Sequence, residues 1–212
     1  MSEYPVLITV RTSSSRLPKK CLLDFGKISV ISYVIKRAKE NDLTPILTTT
    51  KNKSDDIQIK EILDECFGQN RHNRTVYLYR KIPPLKYLSL VSCKKNDPSI
   101  VIGTISFYPV LVNKIKCLLL GPLAVKLNYQ GQGFGKLLVE KGIDLATSKG
   151  EKICFVSGDY KYYKDFGFYK LNDKNLNIKT LGPLSYDHLL ICELKKAALN
   201  LLPKISEILP MD

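Results

Sequence analysis

Residues 116 to 157 constrain the chain more tightly than any other stretch. An apolar run, Lys116 to Val125, leads into the glycine-rich segment Asn128-Tyr-Gln-Gly-Gln-Gly-Phe-Gly-Lys136, and a second apolar run follows at Ile153 to Ser157. Between them, from about Gly133 to Lys149, Phe134, Leu137, Leu138, Ile143, Leu145 and Ala146 recur at helical spacing, and Gly150 closes the pattern. A strand, a helix and a strand of these lengths form a parallel crossover, right-handed by the usual rule. Upstream, Tyr87 to Cys93 and Ile100 to Val110 are strand-like, with breaks at Lys94 to Pro98 and at Asn113. Such short breaks join antiparallel neighbours. A helical turn around Tyr160 to Asp165 and a strand at Leu189 to Leu194 complete the pattern. The prediction is an α/β fold with a mixed, mostly antiparallel sheet and a parallel β-α-β crossover.

The first part of the chain reads separately. Val6 to Val10 is a short strand, Arg11 to Lys20 is polar and basic, Ile28, Ile31, Ile35 and Ala38 mark a helix over Ile28 to Lys39, and Pro45 to Thr50 returns to strand chemistry. This predicts a short N-terminal β-α unit over residues 1–45 and a main domain over 46–212. A helix follows from Asp55, carrying Ile57, Ile59, Ile62, Leu63, Cys66 and Phe67, with Ser54 or Asp55 as its cap and Gly68 as its stop. Residues 69–84 read only as polar and basic.

Composition narrows the function classes. A chain of 212 residues has room for one ordinary domain and an appendage. Six cysteines form no C-x-x-C pair and His72 and His188 are the only histidines, so no metal site is expected and the thiols read as free. The net charge is +13, but only six of the 33 basic residues are arginine. No nucleic-acid module signature accompanies them, so nucleic acid is not the expected partner; an anionic small molecule suits the field better. The longest apolar stretch, Cys117 to Val125, is too short to span a membrane, and Val6 to Val10 is too short for a signal peptide core. A cytoplasmic protein is the expectation.

The glycine segment carries the densest chemistry. Gly131, Gly133 and Gly135 let the backbone turn tightly and aim several N–H groups at one point, and the start of a helix adds its dipole. That arrangement holds a phosphate or diphosphate. A dinucleotide fingerprint would need glycine where Lys136 stands, and the spacing of a Walker loop is also missed.

These residues resemble a family. Gln130-x-x-Gly133-x-Gly135 is similar to the Q/R-x-x-G-x-G/A motif of the GNAT N-acetyltransferases. So are Leu120-Gly-Pro-Leu-Ala-Val125 before it and Gly158-Asp159 with Tyr162-Tyr163-Lys-Asp-Phe-Gly167-Phe168 after it. The likeness covers about residues 84–195 and extends back to about residue 46. It implies acetyl-CoA as cosubstrate and a small-molecule amine as acceptor. Pantetheine would pair with backbone groups of Leu123, Ala124 and Val125, and the diphosphate would rest on the amides of Gln130, Gly131, Gln132, Gly133, Phe134, Gly135 and Lys136. It also implies a backbone N–H near Leu123 as the oxyanion donor and Tyr163 as the acid for the departing thiolate, with Tyr162 as the neighbour that could replace it. Many members carry an acid on the strand before the loop, and Lys116 to Val125 has none. Asp159 reads as a turn cap, Glu140 as part of a solvated helix face and His188 as a satisfied strand histidine, so no base is assigned. A homodimer is common for this kind of fold. A non-catalytic acyl-CoA-binding module is the alternative reading.

A second resemblance covers only the start. Arg11-Thr-Ser-Ser14-Ser-Arg16-Leu-Pro-Lys-Lys20 is similar to the R-x-x-S-x-R-L-P-x-K signature of the CMP-sugar synthetases, cytidylyltransferases that grip a triphosphate with such groups. The chain is too short for that whole domain. The fragment is expected to brace the fold or to bind a nucleotide through Arg11, Ser14, Arg16 and Lys20, and it suggests an amino sugar or sugar nucleotide as acceptor.

Overall fold

A computed structural model describes residues 4–10, 24–26, 28–41, 43–49, 53–94, 97–182 and 188–211. Two compact units divide the chain, Met1–Asp56 and Ile57–Asp212. In the first, β1 (Tyr4–Val10) lies parallel to β4 (Leu43–Thr49), in register from Tyr4 opposite Leu43 to Val10 opposite Thr49. A small hairpin, β2 (Asp24–Phe25) with β3 (Ile28–Ser29), precedes the connecting helix α1 (Val30–Glu40). Ser29 starts that helix by accepting a bond from the Ser32 amide at 3.3 Å. The expected strand, helix and second strand are therefore present. Arg11, Ser14, Arg16 and Lys20 lie outside the described residues.

Helix α2 (Lys53–Phe67) leads into the second unit. It starts ahead of the expected caps, so Ser54 and Asp55 lie inside its first turn; there Asp55 and Asp56 suit the positive end of the helix dipole. Gly68, at φ 80°, ends it and bonds back to the Asp64 carbonyl at 2.9 Å, as expected.

The second unit is built on an eight-stranded sheet in the order β10-β12-β6-β7-β8-β11-β9, with β5 also paired to β6. Its strands are β5 (Leu90–Lys94), β6 (Asp97–Val112), β7 (Ile115–Val125), β8 (Ile153–Ser157), β9 (Phe168–Lys170), β10 (Asn177–Lys179), β11 (Leu189–Glu193) and β12 (Ile205–Pro210). The long β6 is the spine: β5 pairs with its first half and β12 with its end. β6 and β7 form a hairpin whose turn residues Asn113 and Lys114 both have positive φ, which suits a tight two-residue connection. Helix α3 (Phe134–Ser148) crosses from β7 to β8, and those strands are parallel, as the spacing predicts. The sheet is mixed and mostly antiparallel. The expected strand at Tyr87 begins instead at Leu90, because a 3-10 turn over Lys86–Leu88, closed by Leu88 N–H to the Leu85 carbonyl at 2.9 Å, comes first.

Alternation along β7 and β8 explains why both read as continuous apolar runs. Leu118, Leu120, Cys154 and Val156 face the layer that contains Leu138, Val139 and Ala146 of α3. Cys117, Leu119, Ile153 and Phe155 face the opposite layer with Ile191 and Ile208. A strand covered on both faces has no polar side to show. Burying each such side chain contributes about 1.5–3 kcal/mol, which fixes the register of the strands that frame the site. Cys117, Cys154 and Cys192 are buried free thiols, and burial pushes Cys117 up to about 12. Among the described residues no helix is long and apolar enough to cross a membrane.

Candidate active site

The site begins where strand pairing stops. β7 and β8 run together only from Leu118 to Leu120, opposite Cys154 to Val156. Beyond that, β7 keeps its bonds to β6, with Leu123 opposite Ile105 and Val125 opposite Gly103, after a register shift between Ile105 and Phe107. The extra residue of that bulge falls at Gly121-Pro122, the point at which pairing with β8 ends. A wedge-shaped cavity of about 170 Å³ opens there, with Leu120 to Leu123 on one side and Val156 and Ser157 on the other. A strand edge released from its neighbour offers backbone donors and acceptors to an extended arm as an added strand would.

At the end of β7 the glycine segment turns into α3. Gly131 and Gly133 have φ of 76° and 89°, a region that side-chain-bearing residues avoid, and a Cβ at either would meet nothing within 4 Å. Gly133 caps α3 with no side-chain cap bond, so the first-turn amides have no partner within the helix. Open space, uncapped donors and the helix dipole together fit a diphosphate. The side chains of the segment brace it. Gln130 Nε2 donates to the Val125 carbonyl at 3.0 Å, and Gln132 Nε2 donates to the Asn128 carbonyl at 3.0 Å. Phe134 packs edge-on against Tyr129 at 6.1 Å, and Lys136 is exposed. Of the three strand residues singled out, Leu123 lines the wedge, Val125 is buried, and Ala124 turns its side chain to the opposite layer against Ile62 and Val101.

Two tyrosines sit at the other side, in α4 (Tyr160–Tyr163), which Asp159 caps as expected by accepting from the Lys161 amide at 3.0 Å. Tyr163 is only 8% exposed and lines the wedge. Its ring lies against Tyr162 at 4.9 Å and Phe168 at 5.5 Å. It also presses on Gly158, where a Cβ would come within 2.4 Å of the ring. Burial and the neighbouring Tyr162 push the Tyr163 hydroxyl well above the usual phenol range, so it stays protonated. Tyr162 is half-buried, and its hydroxyl stands 2.8 Å from where a Cβ on Gly135 would be. The two tyrosines therefore have different places: Tyr163 in the wedge, Tyr162 against the first turn of α3.

Glu140 and His188 are exposed and do not line the wedge. The expectation of a strand histidine is corrected: His188 precedes β11, and its backbone carbonyl accepts from the Gly158 amide at 2.8 Å. Among the described residues lining the wedge there is no carboxylate and no imidazole.

The remaining wall was invisible in the sequence reading. After α2 the chain winds through two 3-10 turns, Gln69–Asn73 and Thr75–Tyr79, which carry Arg71, Arg74 and Tyr77 to the wedge, with Arg80 just beyond. Arg71 is buried and paired with Asp64 of α2. Arg74 stacks on Phe67 at 5.1 Å, and Arg80 lies 4.4 Å over Tyr77 and 5.2 Å over Tyr108. Three of the chain's six arginines fall within Arg71 to Arg80, interleaved with tyrosines, and that clustering was the available signal.

Comparison with known proteins gives the family. The model of the acetyltransferase (GNAT) family matches residues 57–168, and that of the cytidylyltransferase family matches residues 6–76. The chain is 34% identical over 84 residues to the uncharacterized N-acetyltransferase YhbS of Escherichia coli K12, covering 39% of this chain and 50% of that protein. It thus spans about half the length of the curated relatives it matches. A crystal structure of E. coli YhbS in complex with CoA superposes with a TM-score of 0.62 at 26% identity, covering 74% of this chain and 86% of that one. A GNAT acetyltransferase from Brucella melitensis, solved with acetyl-CoA, gives a TM-score of 0.48 at 28% identity over 57% of this chain and 80% of that one. The family match takes in more than half of the 212 residues and includes the wedge, the glycine turn and both tyrosines: the chain belongs to the GNAT acetyltransferase family.

Proposed function

We propose that this protein is an acetyl-CoA-dependent N-acetyltransferase that transfers the acetyl group to a primary amine by direct attack. Acetyl-CoA supplies the thioester carbonyl; the protein binds, aligns and moves protons. The observation that carries the reading is the parting of β7 from β8 beside an uncapped, glycine-opened helix start. The amides of Gln130 to Lys136 are assigned to the diphosphate and the backbone of Leu123 to Val125 to the pantetheine arm. That the YhbS structure contains CoA supports the assignment.

A backbone N–H near Leu123 is the donor assigned to the negative charge that develops on the carbonyl oxygen. As the N–C bond forms, the C–S bond breaks and sulfur leaves with the electron pair. Tyr163 is the assigned proton source for that sulfur, and the proton shed by the acetylated nitrogen restores the balance. No base lines the described wall, but the arginines around it disfavour an ammonium, so the amine enters in its neutral, nucleophilic form. The match to the cytidylyltransferase family at the start of the chain favours an amino sugar or sugar nucleotide as the acceptor. A homodimer is the proposed assembly, tested by solution mass.

The absence of a carboxylate or imidazole from the described lining also favours a second reading, a coenzyme-binding module without turnover. A thiol-release assay across a panel of primary amines decides. Release of CoA that depends on amine and falls in Tyr163→Phe supports the enzyme; coenzyme binding with no release from any amine leaves the module.

A further inference from the structure

Arg80 is built into the wedge in an unusual way. Its guanidinium lies 4.4 Å from the Tyr77 ring centre and 5.2 Å from that of Tyr108. Its Nε is buried without a hydrogen-bond partner, and no carboxylate among the described residues pairs with it. An Nη2 atom stands 2.9 Å from where a Cβ on Gly121 would be, so the missing side chain at the strand bulge is what admits the guanidinium to the mouth of the wedge. Arg71, by contrast, is neutralised by Asp64. Arg74 lines the same wall, exposed; among the described residues it has an aromatic stack on Phe67 and a long 3.5 Å contact to the Phe67 carbonyl. Two cations with no carboxylate partner among the described residues therefore line a cavity that Tyr163 and Leu123 also line.

A partly buried guanidinium whose buried Nε donor is unfilled suits an anion. The Tyr77 and Tyr108 rings lie against the cation, and its buried Nε is still left without a partner, so a donor remains for a ligand. We infer that the acceptor is an amine that also carries an anionic group, a carboxylate or a phosphate, and that Arg80, with Arg74 beside it, holds that group so that the amine is presented at the thioester. This rests on the acetyl-transfer reading for the word acceptor, but the anion site stands on its own geometry. Arg80 is thus a specificity-determining residue of the acceptor side, distinct from the backbone-built coenzyme side. Burial pulls its guanidinium below its ordinary value and the two tyrosines oppose that shift, a balance that an incoming anion would tip further towards the charged form.

The test uses the full chain saturated with CoA or acetyl-CoA and matched pairs of amines: glucosamine 6-phosphate against glucosamine, and β-alanine against its amide. Calorimetric binding reads the site without turnover, and thiol release reads acceptor use. The anionic member of at least one pair is expected to bind and react at least about tenfold better, chiefly through KM, with the pair that responds telling phosphate from carboxylate. Arg80→Gln removes that preference, Arg80→Lys restores part of it, and acetyl-CoA affinity does not change. Should Arg80→Gln fail to fold, the preference of the wild type and its reduction in Arg74→Gln carry the test. Equal handling of charged and neutral members, or a preference that survives Arg80→Gln, overturns the inference while leaving acetyl transfer intact. Arg80-dependent anion binding with no CoA release overturns the acetyl-transfer reading and leaves the anion site standing.

Discussion

The two walls of the wedge are made of different material. The wall assigned to the coenzyme is backbone: a strand edge from Gly121 to Val125, then a turn in which Gly131 and Gly133 adopt left-handed φ and bare the first amides of α3. The other wall is side chain: arginines and tyrosines delivered by two 3-10 turns after α2, with Arg80 Nη2 reaching Gly121. A backbone cradle can recognise only what every substrate pair shares, the diphosphate and the amide-bearing arm. Side chains can discriminate, so acceptor choice is assigned to the wall with Arg74 and Arg80. Tyr163, between the walls, is the residue assigned to the chemistry that all acceptors would share.

That division can be broken by experiment, starting with the residue between the walls. Tyr163→Phe keeps the ring that packs on Gly158 and Phe168 and removes only the hydroxyl. It is expected to lower kcat by about a hundredfold, the lower end for general acid catalysis, with acetyl-CoA affinity unchanged. A comparable loss of coenzyme affinity in calorimetry would move Tyr163 into the binding wall. Next comes Gly133→Val, which forces a β-branched residue to φ near 89°. Strain of about 1–3 kcal/mol corresponds to roughly fivefold to 150-fold weaker acetyl-CoA binding. Unchanged affinity would remove the diphosphate from the glycine turn.

How much of this was readable differs between the walls for the same reason. Gly131 and Gly133 announce themselves because few residues can occupy a left-handed turn, Gly135 because Tyr162 leaves no room for a side chain, and Gln130 because it braces the turn to Val125. β7 and β8 were equally plain, since burial on both faces leaves an unbroken apolar run. The arginine wall was not, because 3-10 turns have no long period and a polar, basic stretch looks like any solvated loop. Nor do three-residue strands such as β9 and β10 show a pattern; pairing with β11 and β12 makes them, not propensity. Gly158 was seen only as part of a motif, and its contact with Tyr163 gives the physical reason for it.

Gly158→Ala sharpens that last point. A methyl group 2.4 Å from the Tyr163 ring must displace it, so stability falls by about 1–3 kcal/mol in denaturant titration and kcat falls with it. Full activity in this variant would show that the position of Tyr163 does not matter. The smallest expected effect is with pH. Burial raises the Tyr163 pKa, so the phenol keeps its proton above the ordinary value of about 10, and kcat at saturating amine stays within about twofold on the alkaline side up to that pH. The linked stability is fully present below about pH 10 and is lost as pH rises towards the raised folded value. An alkaline limb beginning below about pH 9, absent from Tyr163→Phe, would mean that the phenol ionises far more easily than its burial allows.

The most direct measurement is a crystal structure of the protein grown with saturating CoA. Density for a diphosphate on the amides of Gln130 to Lys136, and for the arm between Gly121–Val125 and Val156-Ser157 with its sulfur near Tyr163, is the predicted result. Coenzyme seated elsewhere, or a glycine turn left bare at saturation, would contradict it.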